Sequence, residues 1–147
     1  MGAVSDEGDD VEMLYRLAAL RMYVTFSPKN GYRIKDYRNS TKDMLDRFAE
    51  ESFSLNEKEI AKYVSSIKSF ISILDISRKY FSKVTLLEGL YVVFEKRHVQ
   101  CKITDEICRE ILAKDFFKAS TSGGTISMTN MNKRWKGIYD VLSKYNQ

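Results

Sequence analysis

Apolar side chains recur at steps of three and four residues along most of the chain, which is the spacing of α-helices with one buried face. The clearest example begins after Ser54, which together with Glu57 fits a capping box and predicts the start of a helix. We expect this helix to be a main support of the core. Its apolar stripe consists of Ile60, Tyr63, Val64, Ile67, Ile71 and Leu74.

The first apolar segment, residues 11–26, is hydrophobic on nearly every side and is interrupted only by Arg16 and Arg21. A helix of this kind lies either at the centre of a core or in a subunit interface. The sequence Ser-Pro-Lys-Asn-Gly at 27–31 predicts a turn, because Pro fixes its own backbone and Asn-Gly tolerates positive φ. A small β excursion is therefore possible over residues 24–38.

The rest of the chain is also predicted to be helical. Asn39 or Ser40 can cap a second helix that ends near Glu51, and Thr104 can cap a fifth. Residues 78–97 form either one helix or two, residues 120–125 form a flexible connection, and a last helix runs from about 130 to 145. These patterns predict an all-α, single-domain bundle of about six helices, with a β excursion near 24–38.

Charge divides the chain into two unequal parts. Residues 1–12 contain five acidic residues and no Lys or Arg, a net charge of −5. The chain has 20 acidic and 24 basic residues, so residues 13–147 hold fifteen acids against 24 bases, a net charge of +9. We interpret residues 1–10 as an acidic flexible arm and residues 11–147 as the helical domain. A basic body favours polyanionic partners.

Composition limits the class of protein. A chain of 147 residues is long enough for one hydrophobic core. Its longest apolar runs are only a few residues, which predicts no membrane span, and its acidic N-terminus does not resemble a signal peptide. Two cysteines are fewer than a disulfide-stapled secreted domain normally carries. We therefore expect a cytoplasmic protein.

The sequence contains no arrangement of residues that requires a particular catalytic chemistry. His98, Cys101 and Cys108 are the only soft metal ligands, one fewer than a structural zinc site takes, and the two cysteines are seven residues apart. Phosphate-binding and dinucleotide-binding glycine motifs do not occur. We predict a protein that is not an enzyme and that binds no metal or cofactor.

Clusters of basic and aromatic residues indicate nucleic-acid binding, because cations neutralise phosphates and rings stack on bases. The first cluster lies in residues 29–42 and the second in residues 133–136, beside Trp135, which we place in the core. A third cluster, Lys96, Arg97, His98 and Lys102, is interpreted only as a complement to a helix C-terminus. The predicted contact residues are Lys29, Tyr32, Arg33, Lys35, Tyr37, Arg38, Lys42, Lys133, Arg134 and Lys136.

The segments LAALRMYVTF, GYRIKDYR and SLNEKEIAKYVSSIKSF, in a helical chain of this size, resemble the small-subunit families of CRISPR effector complexes. The archaeal type I-A small subunit is the nearer likeness, and the type III small subunit is the next. The resemblance implies a non-catalytic role, in which copies stack along a multi-protein ribonucleoprotein and hold RNA or DNA by their basic surfaces. It carries over no individual site residue.

Two other hypotheses remain open. In the first, the chain is a plasmid or viral DNA-binding protein whose residues 104–143 form a helix-turn-helix-like unit, with Lys133, Arg134 and Lys136 entering a groove. In the second, the chain is a protein-interaction module without nucleic-acid binding, and residues 11–26 are its docking surface.

Overall fold

The computed structural model describes residues 2–38, 40–121 and 126–146, and for residues 2–10 it describes the backbone alone. Most of this chain is helical, and the helices are α1 (Gly2–Tyr23), α2 (Thr41–Glu51), α3 (Glu57–Ile73), α4 (Val84–Arg97), α5 (Asp105–Ala113), α6 (Asp115–Thr121) and α7 (Met128–Ser143). Short 3₁₀ helices span Ser52–Ser54 and Arg78–Ser82. The predicted helical bundle is confirmed.

Two short sheets accompany the described helices. Strands β1 (Val24–Ser27) and β2 (Gly31–Ile34) form an antiparallel hairpin in the region where the β excursion was predicted. Strands β3 (Leu74–Asp75) and β4 (Ile103–Thr104) form a parallel pair that the sequence did not predict. The hairpin follows α1 directly, so the first helix ends at Tyr23 rather than at residue 26.

The core is built around α4, which contacts α1, α3 and α7. Seven of its fourteen residues are buried: Leu86, Leu87, Gly89, Leu90, Tyr91, Val92 and Val93. A Cβ at Gly89 would lie 2.5 Å from Ile138 Cδ1, so glycine allows α4 and α7 to approach closely. Trp135 on α7 is 2% exposed, which confirms its predicted place in the core.

Helix termini follow the predicted caps in most places. Ser40 caps α2 by accepting from the Asp43 amide at 3.2 Å, and Thr104 caps α5. The predicted start of α3 is wrong, because Asn56 and Glu59 form the capping box instead of Ser54 and Glu57. Asn39 and the connection at 122–125 lie outside the described residues, whereas Ser120 and Thr121 belong to α6.

Residues 78–97 form two elements, since the 3₁₀ helix ends at Ser82 and α4 begins at Val84. Helix α1 begins at Gly2, so the backbone of the acidic segment continues the first helix, and its independence as an arm stays a prediction. None of the helices in the described segments has the length and hydropathy needed to cross a membrane.

The predicted role of the α3 stripe is wrong for three of its six residues. Ile60, Val64 and Ile71 are 46%, 45% and 49% exposed, and Ile67 is the stripe's buried residue. Phe70, which the stripe omitted, is 1% exposed, and its ring centroid lies 5.2 Å from that of Tyr91 on α4. This contact turns α3 so that the predicted stripe lies along the edge of the core.

Candidate nucleic-acid interface

The β1–β2 hairpin has one face on the core and one in solvent. Val24, Tyr32 and Ile34 are buried, whereas Thr25 and Arg33, which are register partners, are exposed. Alternation of this kind follows from the two-residue repeat of a strand. The outward face of the hairpin therefore presents Arg33, and Lys35 follows exposed directly after the strand.

Asn132 on α7 holds the free edge of the hairpin. Its Oδ1 accepts from the Tyr32 amide at 2.8 Å, and its Nδ2 donates to the Tyr32 carbonyl at 2.9 Å. Gly31 makes this approach possible, because a Cβ there would lie 2.8 Å from Asn132 Oδ1 and the residue has φ +71°. Asn132 thus occupies the position of a third strand and fixes β2 against α7.

Arg97, at the end of α4, lies between two aromatic rings at the inner face of the hairpin. Its Cζ is 3.9 Å from the Phe26 ring centroid and 3.6 Å from that of Tyr139 on α7. Its Nη1 also donates to the Tyr32 hydroxyl at 3.3 Å. In the part of the chain that the structure describes, no carboxylate forms an ion pair with Arg97, so its charge is held in place without being neutralised.

These groups line one cleft of about 610 Å³, which we call the hairpin–α7 cleft. Lys133 and Lys136, both exposed, lie on its α7 side, and Asp140 is the one carboxylate among its lining residues. A guanidinium held between rings and two lysines in one concave site is an arrangement suited to phosphate groups.

Seven of the ten predicted contact residues are exposed, but they do not form one patch. Lys133 and Lys136 line the cleft, Arg33 and Lys35 are on the outer side of the hairpin, and Lys29 is in the turn at its tip. Arg38 lines a separate polar cleft with the acids Asp36 and Asp43. Lys42 pairs with Asp46 at 2.8 Å, as an exposed pair on α2.

The other three predicted contact residues are wholly or partly enclosed. Tyr32 is 1% exposed, so its ring offers no face for stacking, and its role is to support Arg97. Arg134 is 2% exposed and donates to the Ser120 carbonyl at 2.9 Å, inside the protein. Tyr37 is half-buried and donates to the Ile126 carbonyl at 2.5 Å, and burial raises its pKa to about 12.

Burial also governs the two thiols. Burial raises the pKa of Cys108 to about 11 and raises the pKa of Cys101 as well, so both are protonated at neutral pH and are poor nucleophiles. Within residues 2–38, 40–121 and 126–146, no group of three or more His, Cys, Asp or Glu side chains is arranged to hold a metal ion.

Sequence reasoning missed the residues that organise the cleft. Arg97 was seen only as part of a basic cluster at a helix end, although it is bonded to a hydroxyl 65 positions away. Asn132 bonds a backbone 100 positions away and carries no local signal. No family model, no curated protein and no solved structure matches this chain.

Proposed function

We propose that this chain is a non-catalytic protein that binds nucleic acid through the hairpin–α7 cleft. The observation that carries the proposal is Arg97, which is held between Phe26 and Tyr139 without a carboxylate partner in the described chain, in the same cleft as Lys133 and Lys136. A phosphodiester backbone is the polyanion that matches such a row of cations.

The position of Arg97 supports binding to phosphate rather than stacking on bases. Both faces of its guanidinium are already covered by rings, and one of its five N–H groups bonds to Tyr32. The remaining N–H groups lie in the plane of the guanidinium, where a phosphate accepts two bonds side by side. Fixing the side chain beforehand reduces the entropy lost on binding.

The outer face of the hairpin carries further exposed cations. Lys29 lies at the tip, and Arg33 and Lys35 lie on the side away from the cleft. A nucleic acid that extends beyond the cleft reaches these residues by passing around the hairpin tip. The net charge of +9 on residues 13–147 favours its approach from a distance.

The narrower proposal is that the chain is a cytoplasmic small subunit of a multi-protein, CRISPR-type ribonucleoprotein. Its support is the sequence resemblance together with the basic cleft, and its partners are RNA or DNA and other subunits, including further copies of itself. The helix-turn-helix-like hypothesis is less favoured, because Arg134 is enclosed in the protein and residues 104–143 contain three helices, α5, α6 and α7.

A salt titration of binding tests the main proposal. We would measure fluorescence anisotropy with single-stranded RNA and DNA of about 20 nucleotides, between about 50 and 200 mM salt. Changing Lys133 and Lys136 together to Ala should weaken binding at least about tenfold and reduce the salt slope by about 1.4, since each single-strand phosphate contact contributes about 0.7.

The matched control changes Lys83 and Lys118 to Ala, which removes the same charge from exposed positions that do not line the cleft. It should leave the slope within error of the native value. Equal losses in the two double variants would show a diffuse charge effect and would exclude the cleft. Absence of binding by the native protein at low salt would exclude nucleic-acid binding altogether.

A further inference from the structure

Helices α1 and α3 enclose an apolar groove of about 620 Å³, which we call the α1/α3 groove. Six large apolar side chains that line it are between 39% and 64% exposed: Val11, Leu14, Tyr15, Ile60, Val64 and Ile71. It shares no lining residue with the hairpin–α7 cleft. Contiguous apolar surface of this kind marks a site of protein association.

The spacing on α3 identifies the kind of surface that fits the groove. Ile60, Val64, Ile67 and Ile71 follow one another at steps of four, three and four residues, and all but the buried Ile67 are exposed. This is the heptad seam by which one helix packs against another of the same pattern. The seam is complementary to itself, so a second α3 fits it in a symmetric pair.

Side-chain contacts fix the relative directions of α1, α3 and α4. Arg16 and Arg21 of α1 pair with Glu88 and Glu95 of α4, so those two helices run the same way. The segment that leads into α3 starts at the C-terminal end of α1, where the Tyr23 hydroxyl bonds to the Glu51 carboxylate, and the Arg21 guanidinium lies 4.5 Å from the ring centroid of Tyr63, in the first half of α3.

Helix α3 therefore runs opposite to both α4 and α1. The N-terminal end of α1 therefore points toward the C-terminal end of α3, and Val11 and Ile71 both line the groove. In an antiparallel pair of α3 helices, that end of α1 points toward the N-terminal end of the α3 of the second copy.

The helix dipole of α3 favours this arrangement. On the N-terminal side of Val11, α1 continues as a helix for nine residues, roughly 13 Å, and this segment contains four acids and no Lys or Arg. The N-terminal end of α3 carries a partial positive charge from its dipole, and its exposed side chains Glu57, Lys58, Glu59 and Lys62 sum to zero charge. An antiparallel pair brings the acidic end of each α1 toward this positive terminus.

The area is sufficient for a modest dimer. The six exposed side chains offer on the order of 400 Å² of apolar surface per copy. Two such faces with their polar rims bury about 1,200 Å² in total, the lower limit for a specific interface. We infer that the α1/α3 groove is the interface of a two-fold dimer, in which the α3 helices of two copies pack antiparallel about a point between Val64 and Ile67.

In this dimer, Ile60 of one copy faces Ile71 of the second copy. A pair of opposite charges at these two positions therefore tests how the two α3 helices are aligned. Sedimentation equilibrium from about 1 to about 200 µM should show a dimer with a dissociation constant on the order of 10 µM. Ile60→Glu and Ile71→Lys should each weaken it at least about tenfold. The variant that carries both changes should recover most of the loss, because the carboxylate introduced at position 60 then faces the ammonium introduced at position 71 of the second copy.

The matched control is Ile126→Glu, which places the same charge on an exposed isoleucine outside the groove and should leave the constant unchanged. Circular dichroism melts establish that each variant folds. If Ile60→Glu unfolds the protein, Val64→Ser is a smaller change on the same face of α3 and should weaken the dimer in the same way. A native monomer at the highest concentration would overturn the inference, as would assembly beyond two copies. A double variant whose dimer dissociates as readily as the dimers of the single variants would also overturn the inference. Nucleic-acid binding through the other cleft is independent of these outcomes.

Discussion

Replacing Asn132 by Ala should destabilise the protein by about 2 kcal/mol. The change removes two hydrogen bonds to the Tyr32 backbone, at 2.8 and 2.9 Å, and a third to the Met128 carbonyl at 3.1 Å. Each bond contributes about 1 kcal/mol net, so the loss is about 3 kcal/mol. The higher helix propensity of alanine offsets about 0.6 kcal/mol of this loss, because position 132 lies in α7.

The loss is measured by urea unfolding followed by circular dichroism, and it corresponds to a decrease of about 4 to 8 °C in Tm for a chain of this size. Asn132→Asp keeps the acceptor for the Tyr32 amide and loses the donor to the Tyr32 carbonyl. Its free energy of unfolding should therefore differ from that of Asn132→Ala. The matched control is Lys136→Ala, an exposed change on the same helix, which should stay within about 0.5 kcal/mol of the native protein. A cost for Asn132→Ala no larger than that of the control would refute the role of Asn132 in holding the hairpin.

Two further predictions concern buried groups. Arg134→Ala should cost about 1 to 3 kcal/mol in the same assay, because the Ser120 carbonyl loses its charged donor inside the protein, while Glu88 keeps its ion pair with Arg16; a loss below about 0.5 kcal/mol would contradict the structural role of Arg134. Burial raises the pKa of Cys108 from 9.0 to about 11, so the folded state retains a proton that the unfolded state releases, and stability falls as pH rises between these values. Cys108→Ala should flatten that decline in unfolding free energies measured from pH 9 to 11, and an unchanged slope would exclude this thiol as its source.

The parts of the fold that depend on local sequence could be predicted. Ser40 and Thr104 cap their helices through amides three residues ahead, and the turn before Gly31 joins two strands close in sequence. The capping box of α3 was misplaced because Ser54 and Asn56 both satisfy the local pattern. Ser54 instead donates to the Glu51 carbonyl at 2.8 Å and ends a 3₁₀ turn.

The candidate site could be predicted only in part, for a related reason. The basic segments 29–42 and 133–136 were found from composition, but which of their side chains face solvent depends on packing. Arg134 faces inward because α7 buries that side against α6, and Tyr32 faces inward because β2 lies on α7. Neither orientation has a signature in the residues next to it.

Helix α3 shows most clearly what an apolar stripe does and does not imply. Three- and four-residue spacing establishes that Ile60, Val64 and Ile71 share a face, and it does not establish which element covers that face. Here the contact of Phe70 with Tyr91 uses the neighbouring face for the core and leaves Ile60, Val64 and Ile71 at the surface, while Ile67 is buried. The first helix behaves in the same way, since Leu17 and Leu20 are buried and Val11 and Leu14 are not. The core expectation for that helix therefore holds for its second half, whereas the interface expectation stays a prediction for the exposed first part, which lines the α1/α3 groove.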